Sequence, residues 1–522
     1  MKKLNGNIVQ ARRAVDSAVE ELSTYLEDVN RLHDPIQRLP VELACYIFLL
    51  CLPRLQSRDI FDVSHATMAD YALRPIPLLL GSICRYWRRV VWASPQLWNI
   101  LWLHVTPQAT MARSRMLTEW LTRSGQLPLY VCMFCHQPQQ YHYHDDKFAK
   151  ARNSIYHMID TLTCYAGRIK ILHLQLDALC ISRFGRPTHM VATESIMESL
   201  FIQVERYHGH PDWPYDQLDY PSVQTMFSLV RRPSPTHVSF VGIDFKQISI
   251  RWENVTSIEA ASCRPSEALE ILRLVQQLRR FKFGIASRDC ELVYGRVTHL
   301  ALTTLDIVDN VDSKFFDCIT CPALENFSYC KVDAITAVCL VLLFNRSACP
   351  LKHFTIKGED IFDLVNVLRV TPLLTHLSFM ECRSVNPTLE SFNFIRTLCS
   401  QKRGGSTPIE ELFLRNLCSL SFSILLDGSC MFAISSIISH LRKVVSPQKM
   451  SLRPLLRIRV EVVLSTDVAN VWNSGENVGD YVIDHDSLVR IMELGEDGVE
   501  IEVIDTEGLD LILLSQHFYE MF

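Results

Sequence analysis

Apolar positions along this chain change rhythm twice. From Val9 to Leu32 there is no glycine or proline, and Val15, Ala18, Leu22, Tyr25, Val29 and Leu32 recur at alternating spacings of three and four. That rhythm predicts a leader helix over residues 1–33 with an a/d seam of between two and three heptads. Two readings stay open: a short coiled coil giving weak self-association, or an amphipathic helix folded back on the chain's own surface. Asp34-Pro35 stops the helix, because proline disfavours a helical residue before it.

Apolar density then rises, in two halves: PIQRLPVELACYIFLLCLP and PLLLGSICRYWRRVVWASPQLWNILWL. Pro40 suits a helix start, where its missing N–H costs nothing. Val41, Leu43, Ala44, Ile47, Phe48, Leu50 and Cys51 surround most of the following helix, which predicts that it is nearly all buried. Leu52-Pro53 ends it, and the polar, proline-flanked stretch 54–77 reads as an inserted loop. The second half predicts one helix carrying Leu79, Leu80, Ile83, Cys84, Trp87, Val90 and Val91. A short third helix follows, opened by Ser94-Pro95 and carrying Leu97, Trp98 and Leu101.

In combination, LPxEL with IFxxCLP, then SICRYWRRVV, then SPQLW, resembles the F-box, in particular the F-box-like proteins abundant in mushroom-forming fungi. The resemblance covers Pro35 to about Leu103, with the leader helix as supporting context. One departure is the 24 residues between the halves, where an F-box usually has only a few. The resemblance implies a three-helix module that binds the Skp-type adaptor, and through it the cullin, of a cullin–RING ubiquitin ligase. The positions matching the adaptor-contacting pattern are Leu39, Pro40, Glu42, Leu43, Ile47, Ile83, Cys84, Trp87 and Trp98. Independently, so short a unit cannot bury all this apolar surface internally, and large exposed apolar patches mark interaction sites.

The rest of the chain repeats itself. MARSRMLTEWLTRS (111–124) predicts a helix with Met116, Leu117, Trp120 and Leu121 on one face, and LPLYVCMF a strand. Beyond it, L-x-x-L-x-L with any apolar residue recurs as Ile169-Leu172-Leu174, Pro235-Val238-Phe240, Val255-Ile258-Ala260, Leu278-Phe281-Phe283 and Val297-Leu300-Leu302. It continues as Leu324-Phe327-Tyr329, Leu351-Phe354-Ile356, Leu374-Leu377-Phe379 and Ile409-Leu412-Leu414. Most steps fall in the window of leucine-rich repeats, each unit a strand plus a helix. Helical spacing recurs between them at 266–278, 334–344 and 359–370. The 66-residue step from Ile169 to Pro235 holds unrecognised repeats or an excursion, and YHGHPDWPYDQLDYP within it reads as an exposed loop. Gly404-Gly405 marks another loop. Strands LLRIRVEVVLS and GVEIEVID, with a helix around DHDSLVRIMEL, make residues 446–522 further irregular repeats and a cap.

Composition narrows the function classes. Lys plus Arg number 52 against 57 acids, where a nucleic-acid binder would show a basic excess. Apolar runs such as Ala337 to Phe344 are far short of the roughly 20 residues of a membrane span. Met1-Lys2-Lys3 leads into polar sequence and not an apolar run, so a cytoplasmic or nuclear chain is expected. The 18 cysteines lie in apolar patterns, as at Cys45, Cys84, Cys339 and Cys418, and behave there as small hydrophobes.

Cys132-x-x-Cys135-His136 spells a c-type haem attachment string, and His142 and His144 could complete a zinc site. Residues three apart on a strand point to opposite faces, so no metal or cofactor is expected. His208 to His210 reads as solvated loop, and the pairs Asp145-Asp146 and Glu359-Asp360 as polar turns or helix starts. Nucleotide-binding, zinc-protease and serine-hydrolase motifs are absent from the sequence.

The expected fold is therefore α/β: a leader helix (1–33), a helical F-box-like module (34–103), an irregular leucine-rich-repeat solenoid (104–445) and an irregular end (446–522). The expected function is a non-enzymatic, substrate-recruiting subunit that docks the adaptor through 34–103 and an unknown target protein through the repeat body. The alternatives are a non-proteolytic repeat scaffold and, more remotely, a metal-dependent enzyme.

Overall fold

The computed structural model describes residues 2–33, 35–52, 75–105, 111–134, 146–184, 194–204, 226–229, 231–285, 295–309, 311–330, 334–357, 364–383, 414, 416–426, 457–464, 483, 485–496, 499–505 and 510–521. Nearly all of the inserted loop, Cys135, His136, His142, His144, Asp145, His208 to His210, Glu359-Asp360, Gly404-Gly405, Ile409 and Leu412 lie outside the described residues. The chain divides into two compact units, Met1–Trp252 and Glu253–Phe522. No helix among the described residues is long and apolar enough to cross a membrane.

The first unit opens with α1 (Lys2–His33) and a 3-10 turn at Pro35–Arg38. Next come α2 (Val41–Leu50), α3 (Ile76–Ile83) and α4 (Arg85–Ala93). The second half is thus two helices and not one, because Cys84 is extended and its Sγ accepts the Trp87 N–H at 3.4 Å, capping α4. Helices α3 and α4 approach closely at Gly81, where a Cβ would collide with the Trp92 ring. The third expected helix is only a 3-10 turn at Pro95–Leu97, and Leu101 belongs instead to strand β1 (Ile100–His104).

The unit continues with α5 (Met111–Arg123), β2 (Leu129–Phe134), α6 (Asp146–Cys164), β3 (Ile169–Leu176), α7 (Ala178–Arg183) and β4 (Ser199–Val204). It ends with β5 (Phe227–Ser228), β6 (His237–Val241) and β7 (Ile248–Ser249). Strands β1, β2, β3, β4 and β6 pair in parallel in that order. Strand β4 lies in the gap between expected repeats and fits the same string as Met197-Leu200-Ile202.

The second unit contains β8 (Ser257–Cys263), α8 (Pro265–Leu274), β9 (Arg280–Ile285), β10 (Val297–Thr298), β11 (Thr304–Ile307), α9 (Lys314–Cys318) and β12 (Ile319–Thr320). It goes on through β13 (Asn326–Tyr329), α10 (Ala334–Ser347), β14 (His353–Lys357), α11 (Leu364–Arg369), β15 (His376–Arg383) and β16 (Ser419–Leu426). Strand β17 (Arg457–Leu464), α12 (His485–Glu496), β18 (Glu500–Asp505) and α13 (Leu511–Met521) close it. Its large parallel sheet runs β8, β9, β11, β13, β14, β15, β16, β17, β18. The architecture is mixed α/β.

Two expected strands are displaced. The string at Val297-Leu300-Leu302 yields only the short β10, and Leu300 is exposed; the sheet strand is β11, from the overlapping match Leu302-Leu305-Ile307. Likewise Leu414 sits in a turn at φ 51°, and the strand is β16, from Leu417-Leu420-Phe422. The sheet chooses the match whose alternate residues stay in register with both neighbours, Leu305 between Phe281 and Phe327.

Strand entry follows one device. Two consecutive N–H groups donate to one carbonyl of the preceding strand's entry: Asn326 and Glu325 to Thr303, His353 and Lys352 to Glu325, His376 and Thr375 to Lys352. Inward side chains then stack, Phe327 lying 5.7 Å from Phe354 and 5.6 Å from Phe344 on α10. The half-buried Arg346 donates to the carbonyls of Phe316 and Ile319, each at 2.6 Å, at the end of α9.

His299 is fully buried, with its Nε2 2.9 Å from the Val275 carbonyl oxygen, and desolvation holds its pKa below the usual imidazole value. The unfolded chain therefore binds this proton at a higher pH than the folded one. Stability falls as pH drops below the ordinary value of 6.5, by up to about 1.4 kcal/mol per pH unit until the folded value is reached. Urea unfolding of His299→Gln between pH 7 and 5 is expected to show a shallower pH dependence than the parent; equal slopes would contradict it. Gly81→Ala is expected to destabilise the first unit by about 1–3 kcal/mol, read by denaturant unfolding, because the Trp92 ring must move.

Candidate docking surface

Helix α2 begins at Pro40, whose carbonyl accepts the Leu43 and Ala44 N–H groups at 3.1 Å each. Contrary to the expectation of a nearly all-buried helix, only Ala44 and Phe48 are buried. Phe48 packs on Trp87 of α4 with ring centroids 4.7 Å apart. A helix apolar around its circumference but packed along one line must show the remainder to solvent. Val41, Leu43, Tyr46 and Leu50 are exposed, as are Leu79 and Ile83 on α3.

The positions singled out in the sequence divide by location. Pro40, Glu42, Leu43 and Ile83 are exposed, while Leu39, Ile47, Cys84 and Trp87 are half-buried. The Leu39 carbonyl receives the Tyr86 hydroxyl at 3.4 Å, tying the entry of α2 to α4. Cys84 acts as the cap of α4. Trp98 is a correction to a surface role: it is 2% exposed, and its Nε1–H donates to the Val91 carbonyl at 2.8 Å. Its ring meets Trp92 and Trp120 edge-on at 5.3 and 4.8 Å, with the Arg123 guanidinium 5.0 Å away. Trp98 therefore fixes the helices on α5 and β1 and has no free face for a partner. Leu43 and Ile83, at 51% and 56% exposure, carry outward apolar area at positions the F-box-like pattern marked, joined by the exposed Val41, Tyr46, Leu50 and Leu79.

The second unit presents a different surface. Along its sheet the outward rows read Arg280, Thr304, Asn326, His353, His376, Ser419, Arg457 and then Lys282, Asp306, Ser328, Thr355, Ser378, Ser421, Arg459. His353 and His376 stack at 4.1 Å; burial, then the neighbouring imidazole, holds the His353 pKa low. Ion pairs flank this hydroxyl-rich centre: Lys357 with Asp306 at 3.4 Å, and Arg457 with Glu502 at 2.6 Å. The hydrogen bond from Arg457 to Glu502 raises the arginine's pKa further. Such exposed pairs set specificity more than stability.

Cys132, the one described member of the metal-like string, is buried in β2 among Ile171, Trp102 and Tyr130. Burial pushes its thiol up to about 12, so the thiolate that would ligate a metal is disfavoured. Among the described residues, Cys51 and Cys164 are exposed, which departs from the buried role expected of the cysteines.

No family model matches the chain, and no curated protein matches it.

Proposed function

We propose that the chain is the substrate-recruiting, F-box-like subunit of a cullin–RING ubiquitin ligase. In this reading the helices α2, α3 and α4 hold the Skp-type adaptor. The observation that carries it is the outward apolar set on α2 and α3, Leu43 and Ile83 foremost, on helices whose inner faces are already packed. A partner that covers these side chains removes apolar area from water at about 25 cal/mol per Å². The LPxEL and CRYW strings that resemble the F-box fall on these same helices.

The parallel sheets are read as an irregular leucine-rich-repeat solenoid. Strand-by-strand pairing in chain order, with helices on many of the connections, supports that reading. The hydroxyl- and imidazole-rich strand face of the second unit is then the surface for a target protein. Function is positioning: the target's lysines are brought to high local concentration near a charged ubiquitin carrier, with no bond made by this chain.

The test is co-purification with the adaptor. Leu43→Asp with Ile83→Asp is expected to abolish adaptor capture while the unfolding transition stays within about 0.5 kcal/mol of the parent, because both side chains are exposed. Undiminished capture by the folded double variant contradicts the proposal.

A further inference from the structure

Helix α1 is 32 residues long, about 48 Å at 1.5 Å per residue. Its neighbour in the fold is the 3-10 turn at Pro35–Arg38. Val15, Val19, Leu22, Tyr25 and Leu26 are all more than half exposed, so no described part of the chain covers these seam positions. The fold-back alternative therefore finds no contact among the described residues to support it. Because the helix reaches back to Lys2, the heptad seam also extends beyond its sequence-based limits. Leu4, Ile8 and Ala11 continue the three-and-four spacing in front of Val15, so every a and d position from Leu4 to Leu32 is apolar.

The charges are segregated by halves. Residues 2–15 carry Lys2, Lys3, Arg12 and Arg13 and no acid; residues 16–33 carry Asp16, Glu20, Glu21, Glu27 and Asp28 against Arg31. A lone helix gains nothing from this order, since the positive end of its dipole meets lysines and acids crowd the half nearer its negative end. A parallel pair would set like charge on like. An antiparallel pair brings each basic half onto an acidic half and opposes the two dipoles.

We propose that α1 pairs antiparallel with α1 of a second copy of this chain. In the register that sets Val15 against Ala18, a positions meet d positions throughout: Ile8 with Tyr25, Leu22 with Ala11, Val29 with Leu4. The same register brings the basic half of each helix, residues 2–15, alongside the acidic half, residues 16–33, of the second copy. Val19 and Leu26, one position outside the a/d rows, widen the covered strip. The pairing neither needs nor tests adaptor docking, and two such chains would present two docking modules in one particle.

Sedimentation velocity of the full chain at micromolar concentration tests this. The parent is expected to be a dimer, and V15K/L22K a monomer that still unfolds as the parent does; a monomeric parent overturns the proposal. Orientation is read by charge reversal. R12E/R13E is expected to weaken dimerisation by about tenfold or more, and adding E20R/E21R to restore it, with the effect fading at high salt. In a parallel dimer the reversal relieves repulsion between two basic halves, so an R12E/R13E dimer that is unchanged or tighter overturns the antiparallel arrangement. A photo-cross-linking residue at Asn7 should couple to the peptide containing Asp28 of an isotopically distinct copy; coupling to its own counterpart at Asn7 overturns it as well.

Discussion

Parallel pairing of adjacent strands is the constraint on which the rest of the molecule depends. Each strand in the second unit must hold its inward residues level with those of both neighbours, Phe281, Leu305, Phe327, Phe354, Leu377, Leu420 and Ile458 in one row. The paired N–H donors at each strand entry fix where that level lies. With the level set, the connecting helices have only to bury one side, as Phe344 does between Phe327 and Phe354. The outward residues are then freed from packing and can be chosen for charge and hydrogen bonding. That freedom is visible in the mixture of serine, threonine, histidine and ion pairs on the outward rows.

In the first unit the parallel ladder of β1, β2, β3, β4 and β6 supplies an anchor for the small helices. Strand β1 pairs with β2, and Trp98, just before it, is locked between Trp92 and Trp120. Arg123 of α5 lies over both Trp92 and Trp98. Helix α4 is held through the Trp98 indole N–H on Val91, and α2 through Phe48 on Trp87. These contacts use the inner faces only, so the apolar residues left outside on α2 and α3 belong to helices that the chain itself holds in place. Under the proposed docking, a surface held this way would lose little conformational entropy on binding.

Much of this was legible in the alternation of apolar residues. The strings around Leu172, Val238, Ile258, Phe281, Phe327, Phe354 and Leu377 lie on strands of the sheets, since period-two burial on one face writes itself into the sequence. Where two overlapping strings compete, as at Leu300 against Leu305, the choice is made by register with strands far away in the chain, and local pattern carries no trace of it. Burial on α2 was misjudged for a related reason: apolar composition says what could be covered, not whether a neighbour is present to cover it. Trp98 shows the converse, a residue marked for a partner that the fold buries in its own packing. The leader seam could be written down from spacing, but only the three-dimensional arrangement shows that no described residue folds over Leu22 and Tyr25.

The central claim is that α2 and α3 face a protein partner while the strand ladder serves as frame. Hydrogen–deuterium exchange of the full chain, alone and with a Skp-type adaptor bound to its cullin, tests it most directly. The account predicts added protection confined to peptides spanning residues 39–50 and 76–84, with the strand peptides unchanged. No protection there at saturating adaptor, or protection only on the strands of the second unit, would contradict it.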